Sequence, residues 1–222
     1  MKLKGAELIW LGHSGFKIKL NQKIIYIDPY QINENEKADI ILITHSHYDH
    51  FSQQDLDKIV KDGTIIICTP DSQSKVARLN AKIELLLAEP GREFLIEEIK
   101  IKAVDSYNEK KEFHPKNEYW CGYVIQFNGL VIYHAGDTDK IKEMEKLTGY
   151  AKKDNEFIIL LPVGGNFTMN AEEAAEAALL IKPTLAIPMH YGSIVGSRTD
   201  AENFVKLCEE KGIKTEILEK GK

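Results

Sequence analysis

Short apolar segments separated by polar turns run along the chain and predict a protein built largely from β-strands. Some segments alternate apolar and polar residues, as FKIKL does at 16–20, which is typical of strands with one covered face. Others are continuously apolar, as DIILIT is at 39–44, which is typical of strands covered on both faces. The predicted strands are residues 7–11, 16–20, 23–28, 39–44, 64–68, 83–87, 93–96, 99–104, 123–127, 130–134, 157–161, 184–188 and 214–218.

Helical segments are interleaved with these strands. Ser52 with Asp55, and Asn170 with Glu173, have the spacing of a capping box at a helix start. Strand-rich halves that each carry helices predict a layered α/β fold. Because no linker, low-complexity tract or short repeat interrupts the pattern, we expect one domain over residues 1–222. The predicted helices are residues 52–61, 71–80, 138–147, 170–182 and 199–211.

The composition, with 43% hydrophobic and 28% charged residues among 222, is that of a globular protein. A net charge of −5 gives no overall basic field, so nucleic acid and anionic membranes are disfavoured as partners. No apolar region resembles a signal peptide or a membrane span, and we therefore expect a cytoplasmic protein. Cys68, Cys121 and Cys208 lie far apart without a CxxC pair, and the first two are expected to be small core residues.

The segment ITHSHYDHFS begins at the end of the apolar run DIILIT and places three histidines and an aspartate within six residues. In an extended turn, the spacing of His45 and His47 directs both side chains towards one point. Asp49 and His50 then point towards a second position beside it. Imidazole and carboxylate ligands suit zinc, manganese or iron. Solvated or capping histidines are the alternative, but three of them in this spacing favour a metal-binding motif.

The other four of the seven histidines are His13, His114, His134 and His190. At least five of the seven lie at or just after the end of a predicted strand, which is the edge where ligands bind in layered α/β proteins. Asp137, in AGDT, also follows a strand, and this position favours a metal ligand over an N-cap for the helix predicted at 138–147.

The segments WLGHSGF, IDP, THSHYDH, IYHAGDTD, LPVGGNFTM and IPMHYG together resemble the metallo-β-lactamase-fold hydrolase superfamily, over nearly the whole chain. The similarity is closest to its small stand-alone members, which include lactonase-like and phosphodiesterase-like enzymes. The resemblance implies an αββα sandwich, in which two mixed β-sheets are flanked by helices and the site lies along one edge. It also implies two divalent metal ions. Zinc is the expected metal, with Mn²⁺ or Fe²⁺ as alternatives.

The resemblance also implies the ligands. His45 and His47 would bind the first metal ion, and Asp137 would bridge to the second. The second ion would be bound by Asp49, His50 and His190.

One departure from the superfamily concerns the first metal ion, which usually has a third histidine just after the strand that precedes the long loop. Here the strand ends in VDSYN, and Asn108 stands at that position. Asn108 could supply an oxygen ligand, His114 could reach in from the loop, or the first site could lack a ligand. We favour His114, because imidazole is the better ligand for these metals.

Other side chains are candidates for contacts with substrate or with the ligands. His13 would line the pocket or brace its turn, and His134 would pack behind Asp137. Asp28 would accept a hydrogen bond from a ligating histidine or only begin a turn. Asn166 belongs to a glycine-rich turn at 164–166. Either the backbone NH groups of this turn would face an anionic substrate, or the turn would be a simple connection.

These features predict a metal-dependent hydrolase that activates water against an ester, lactone or phosphodiester bond of a small molecule. Zinc lowers the pKa of bound water from about 15.7 towards 7, and Asp49 is the expected catalytic residue, since it would both ligate and orient that water. One alternative is a phosphodiesterase or nuclease, although the acidic net charge is unfavourable for nucleic acid. The other is a non-catalytic regulatory protein that binds metal but lost activity because of Asn108.

Overall fold

The computed structural model describes residues 1–152 and 154–221. The chain divides into two compact units, which are described one at a time. The first unit comprises Met1–Glu89 with the C-terminal segment from Leu218, and the second comprises Pro90–Ile217. Within the described ranges, no helix is long and apolar enough to cross a membrane.

In the described part of the first unit, seven strands form one mixed sheet in chain order. Its first four strands are antiparallel, and its last four, from β4 to β7, are parallel. The strands are β1 Lys2–Leu3, β2 Ala6–Gly12, β3 Gly15–Leu20, β4 Lys23–Ile27, β5 Ile40–Ile43, β6 Ile65–Cys68 and β7 Glu84–Leu87.

The helices of the first unit connect its parallel strands, which cannot be joined by tight turns. Helix α1, Gln53–Ile59, follows β5, and its N-cap Ser52 accepts a hydrogen bond from the backbone NH of Asp55. A 3₁₀ turn at Pro70–Ser72 leads into the short helix α2, Gln73–Val76, after β6. All four residues of β5 are buried, as its continuously apolar sequence predicts, so the loop that follows β5 begins from a fixed position.

In the described part of the second unit, six strands form another mixed sheet in the order β13-β12-β11-β10-β9-β8. Strands β8 to β11 are antiparallel, whereas β11, β12 and β13 are parallel. The strands are β8 Glu93–Ile96, β9 Ile99–Asp105, β10 Cys121–Phe127, β11 Leu130–His134, β12 Glu156–Pro162 and β13 Leu185–Met189.

Two α-helices pack together in the second unit, α3 at Ala171–Ile181 and α4 at Arg198–Glu210. The predicted capping box at the start of α3 is present, since Asn170 Oδ1 accepts from the backbone NH of Glu173 at 2.8 Å and the Glu173 carboxylate accepts from the backbone NH of Asn170 at 3.2 Å. Short 3₁₀ helices occur at Lys116–Glu118 and Lys142–Leu147.

The predicted α/β class is confirmed, with two mixed sheets and flanking helices, but some elements differ from the prediction. Within 71–80 the α-helix covers only Gln73–Val76, and at 214–218 there is only an isolated bridge between Thr215 and Ala186 instead of a strand. The helix predicted at 138–147 is a 3₁₀ helix that starts at Lys142. The three cysteines are buried. The expectation of a single domain stays a prediction.

Candidate metal centre

The HxHxDH motif, at residues 45–50, lies in the loop directly after β5 of the first unit. Thr44 fixes the start of this loop, because its backbone NH and its hydroxyl donate to the two carboxylate oxygens of Asp28 at 2.9 and 2.6 Å. Asp28 follows β4, the parallel neighbour of β5, so both residues lie at the same edge of the sheet. The side chains of the HxHxDH motif therefore leave from a braced strand end.

The first unit brings nitrogen and oxygen ligand atoms close together. The Nε2 atom of His45 lies 3.1 Å from Nδ1 of His47. The Oδ2 atom of Asp49 lies 3.0 Å from Nε2 of His13 and 3.6 Å from Nε2 of His50. Ligand atoms of His13, Asp49 and His50 all lie within 4.8 Å of one another, and these three residues are buried. The first unit thus contains a candidate metal-binding His/Asp cluster, and His13 is part of it.

Asp28 is the partner of a histidine in this cluster. Its Oδ2 atom accepts a hydrogen bond from Nδ1 of His50 at 2.7 Å, and both side chains are fully buried. Because the proton is held on Nδ1, the Nε2 atom of His50, on the side of Asp49, carries the lone pair that can bind a metal. Of the two roles considered for Asp28, the structure shows the hydrogen bond to a histidine.

The second unit contains a second His/Asp cluster, centred on Asp137. Its Oδ2 atom lies 3.0 Å from Nε2 of His190 and 3.3 Å from Nε2 of His114. Asp137 follows β11 and His190 follows β13, and both strands run parallel to β12. Their carboxyl ends therefore meet at one edge of the sheet, as the positions after strands predict.

Asn108 lies behind His114. Its Oδ1 atom is 2.9 Å from Nδ1 of His114 and accepts from the backbone NH of His114 at 3.1 Å. Its Nδ2 atom donates to Asp139 at 3.1 Å. Both ends of the amide are therefore engaged inside the second unit.

His134 and Asn166 occupy supporting positions. His134 is fully buried at the end of β11, and its Nδ1 atom accepts from the backbone NH of Gly136 at 3.2 Å, so it braces the turn that leads to Asp137. Asn166 is exposed in the loop between β12 and α3. Gly164, in the same loop, packs against the backbone of His190 so closely that a Cβ atom there would lie 2.3 Å from the His190 carbonyl oxygen.

Exposed aromatic side chains flank both clusters, and the sequence analysis missed them. In the second unit, Phe113 is 50% exposed and its ring centroid is 4.6 Å from that of Phe167. In the first unit, Tyr48 is 64% exposed and packs edge-on against Tyr30 at 6.0 Å. Burial, together with the neighbouring Tyr48 and Asp49, raises the pKa of Tyr30, so its phenol stays protonated. Tyr48 and Phe113 stand next to histidines in the segments HSHYDH and EFHPK, and this placement was the sequence signal that could have identified them.

The fold and the two clusters define an α/β protein equipped to bind metal ions. A family model described as a beta-lactamase superfamily domain matches residues 7–190. The chain therefore belongs to the beta-lactamase superfamily, as its sequence motifs indicated.

Similar proteins agree with this assignment. The chain is 34% identical, over 97% of both sequences, to a protein of Pyrococcus furiosus named UPF0173 metal-dependent hydrolase. A crystal structure from Parabacteroides distasonis matches with a TM-score of 0.83 and 31% identity, covering 97% of this chain and 94% of that one. Igni18 of Ignicoccus hospitalis, described as a metallo hydrolase, matches with a TM-score of 0.79 and 25% identity, covering 98% and 96%.

Proposed function

We propose that this chain is a metal-dependent hydrolase that holds two divalent metal ions. The main support is the position of Asp137, because one of its oxygens lies 3.0 Å from Nε2 of His190 and 3.3 Å from Nε2 of His114. A single carboxylate between two imidazole nitrogens is a donor set that zinc, manganese or iron can use. Relatives at about one-third identity are named metal-dependent hydrolases, which agrees with the proposal.

The proposed ligand assignment follows the superfamily pattern. One ion is assigned to His45, His47 and His114. The other is assigned to Asp49, His50 and His190, and Asp137 is assigned to both. Zinc is the metal we expect, with Mn²⁺ or Fe²⁺ as alternatives.

When bound, the two ions lower the pKa of a water molecule and polarise the bond that is to be cleaved. In the chain itself, Asp49 is the group that orients the attacking water and accepts its proton. The Nε2 atom of His13, 3.0 Å from Oδ2 of Asp49, is placed to exchange that proton with the carboxylate. Asp28 holds His50 in one orientation throughout, because it is fully buried and bonded to Nδ1.

The aromatic side chains support an organic ester or lactone as the substrate. Phe113 and Tyr48 are large apolar groups that remain at least half exposed directly beside a proposed ligand. Exposed apolar surface of this kind favours contact with the acyl or alcohol part of an uncharged molecule. A phosphodiester in nucleic acid is less suitable, since the net charge of the chain is −5.

The test combines metal analysis with a substrate panel. We expect the purified protein to contain close to two divalent ions per chain, and His190→Ala to lose mainly one of them. Leu95→Ala, which removes an exposed side chain on β8, is the matched control and should keep both. Unchanged metal content in His190→Ala would exclude His190 from the centre.

Turnover of lactones, esters, thioesters or phosphodiesters by the loaded protein distinguishes the remaining possibilities. We expect hydrolysis of a lactone or ester, and a lower kcat/KM for substrates with large apolar groups in Phe113→Ala. A fully loaded protein without turnover on any class would instead support the non-catalytic, metal-binding alternative.

A further inference from the structure

Asn108 links a buried carboxylate to a proposed metal ligand. Asn108, His114 and Asp139 are all buried, with side chains joined in series by hydrogen bonds of 3.1 and 2.9 Å. An ionised carboxylate can only accept hydrogen bonds, so the Asn108 group that faces Asp139 is the NH₂ group. The amide oxygen must then face His114.

The orientation of the Asn108 amide fixes the tautomer of His114. Because an amide oxygen can only accept, the Nδ1 atom of His114 must carry the proton. The backbone carbonyl of Phe167 lies 3.2 Å from the same nitrogen, and it also can only accept. The lone pair of the neutral ring is therefore on Nε2, the atom that lies 3.3 Å from Asp137.

Asp139 is itself held in place by several donors. Its Oδ2 atom accepts from the backbone NH groups of Glu109 and Lys110 at 2.9 and 3.2 Å, and its Oδ1 atom forms an ion pair with Lys111. These contacts balance the charge of a carboxylate that is 4% exposed. They also fix the loop segment that begins at Asn108.

We propose that Asn108 and Asp139 are positioning residues, which hold His114 in the tautomer and orientation that metal binding requires. This inference rests on the proposed function, in which His114 is a ligand. It assigns Asn108 a role behind the ligand and excludes a role as the third ligand itself. Outer hydrogen bonds of this kind raise the basicity of the ligating nitrogen and reduce its freedom.

The first test measures metal affinity by competition with a chromophoric chelator, using Zn²⁺ and Co²⁺. Asn108→Ala should keep the full number of ions but bind one of them about 10–100-fold more weakly. His114→Ala should lose one ion. Lys116→Ala is the matched control, because it loosens the same loop by removing contacts to Glu143 and Tyr107 but does not touch the chain of hydrogen bonds. Its affinity should be unchanged.

The second test detects the proton on Nδ1 directly. In the Co²⁺-loaded protein, the Nδ1–H of a ligating histidine gives an exchangeable, strongly shifted proton resonance. In Asn108→Ala the His114 resonance should shift and exchange faster with water. It should persist in Lys116→Ala, and in the double variant Asn108→Asp with Asp139→Asn, where a carboxylate oxygen still accepts from Nδ1 and an amide faces its other oxygen. The latter variant also provides a second measurement where Asn108→Ala folds poorly.

A double substitution tests the part played by Asp139. Asp139→Asn should weaken metal binding, since an amide at position 139 no longer determines which end of Asn108 faces His114. Asn108→Asp with Asp139→Asn restores an amide–carboxylate pair with an acceptor beside Nδ1, and should recover part of the affinity.

The outcomes separate this inference from the proposed function. Loss of an ion in His114→Ala, combined with unchanged affinity and spectrum in Asn108→Ala, would refute the positioning role alone. Complete loss of an ion in Asn108→Ala would show that the amide is a ligand, and would refute it too. Retention of both ions in His114→Ala would overturn the ligand assignment, and the inference with it.

Discussion

At the scale of single residues, each unit supports one proposed ligand in the same way. The Nδ1 atom of His50 is bonded to Asp28 at 2.7 Å, and that of His114 lies 2.9 Å from Asn108. In both cases the acceptor is buried and leaves Nε2 as the metal-binding atom. The two acceptors differ in charge, and the anionic Asp28 should have the larger effect on its histidine.

Asp28→Asn tests this effect with little change in shape. Asp28 has a left-handed backbone conformation, with φ of 43°, which asparagine tolerates well. Its two oxygens accept from Thr44 and His50, so an amide nitrogen in place of either oxygen would face a donor. We expect metal affinity to fall about 10–100-fold, measured by chelator competition. Asp62→Asn, at an exposed site, is the control, and equal affinity in the two variants would contradict the assignment.

At the scale of elements, the 3₁₀ helix Lys142–Leu147 holds the loop that carries His114. The carboxylate of Glu143 accepts from the Tyr107 hydroxyl and from Lys116, each at 2.8 Å. Burial by itself would raise the pKa of Glu143, but the hydrogen bonds from Lys116 and Tyr107 outweigh it and lower the pKa to about 2. The loop that carries His114 is therefore attached at two places. The ion pair between Lys116 and Glu143 holds its far end, and Asp139 holds the segment next to Asn108.

This shift predicts a pH-dependent contribution to stability. A carboxyl group with a lowered pKa in the folded state stabilises the protein above its ordinary pKa of 4.5, and the contribution is lost as the pH falls from 4.5 towards 2. Lys116 is 56% exposed and screened by water, so we expect a smaller contribution than a buried ion pair would make. Urea denaturation of metal-free Glu143→Gln should show a smaller stability loss over this range. Glu145→Gln, on the same 3₁₀ helix, should resemble the unchanged chain, and an identical pH profile for both variants would refute the role of Glu143.

At the scale of the whole molecule, the proposed ligands are divided between two compact units, and the family match at 7–190 extends over parts of both. Binding of metal to the folded chain stabilises it in proportion to the logarithm of metal concentration. If ligands from both units hold the same ions, removing a ligand from either unit should reduce the stabilisation of the whole chain.

Thermal unfolding with and without metal tests this expectation. At a free metal concentration 100 times the Kd, each bound ion should add about 2.7 kcal/mol to the free energy of unfolding. We expect one transition that moves upward with metal, and a smaller shift in both His47→Ala and His190→Ala. Two separate transitions, only one of which responds to metal, would contradict both the proposed ligand assignment and the expectation of a single domain.

Features that depend on neighbouring positions in the chain could be predicted from the sequence. The apolar run at 39–44 predicted β5, and the spacing of Ser52 and Asn170 from their acidic partners predicted the starts of α1 and α3. The candidate ligands were also identifiable, because histidine and aspartate after a strand end form a local pattern.

Contacts between distant positions were decided only by the tertiary structure. The sequence left Asn108 and His114 as competing ligands, whereas the fold joins Asn108 to Asp139, 31 positions away, and brings the Phe167 carbonyl to His114, 53 positions away. The same contacts explain why no helix begins at 138, since Asp139 and Thr138 bond to the loop at 107–111 instead of capping a helix. A buried carboxylate satisfies its hydrogen bonds with whichever donors the fold brings near it, and a local sequence pattern does not contain that information.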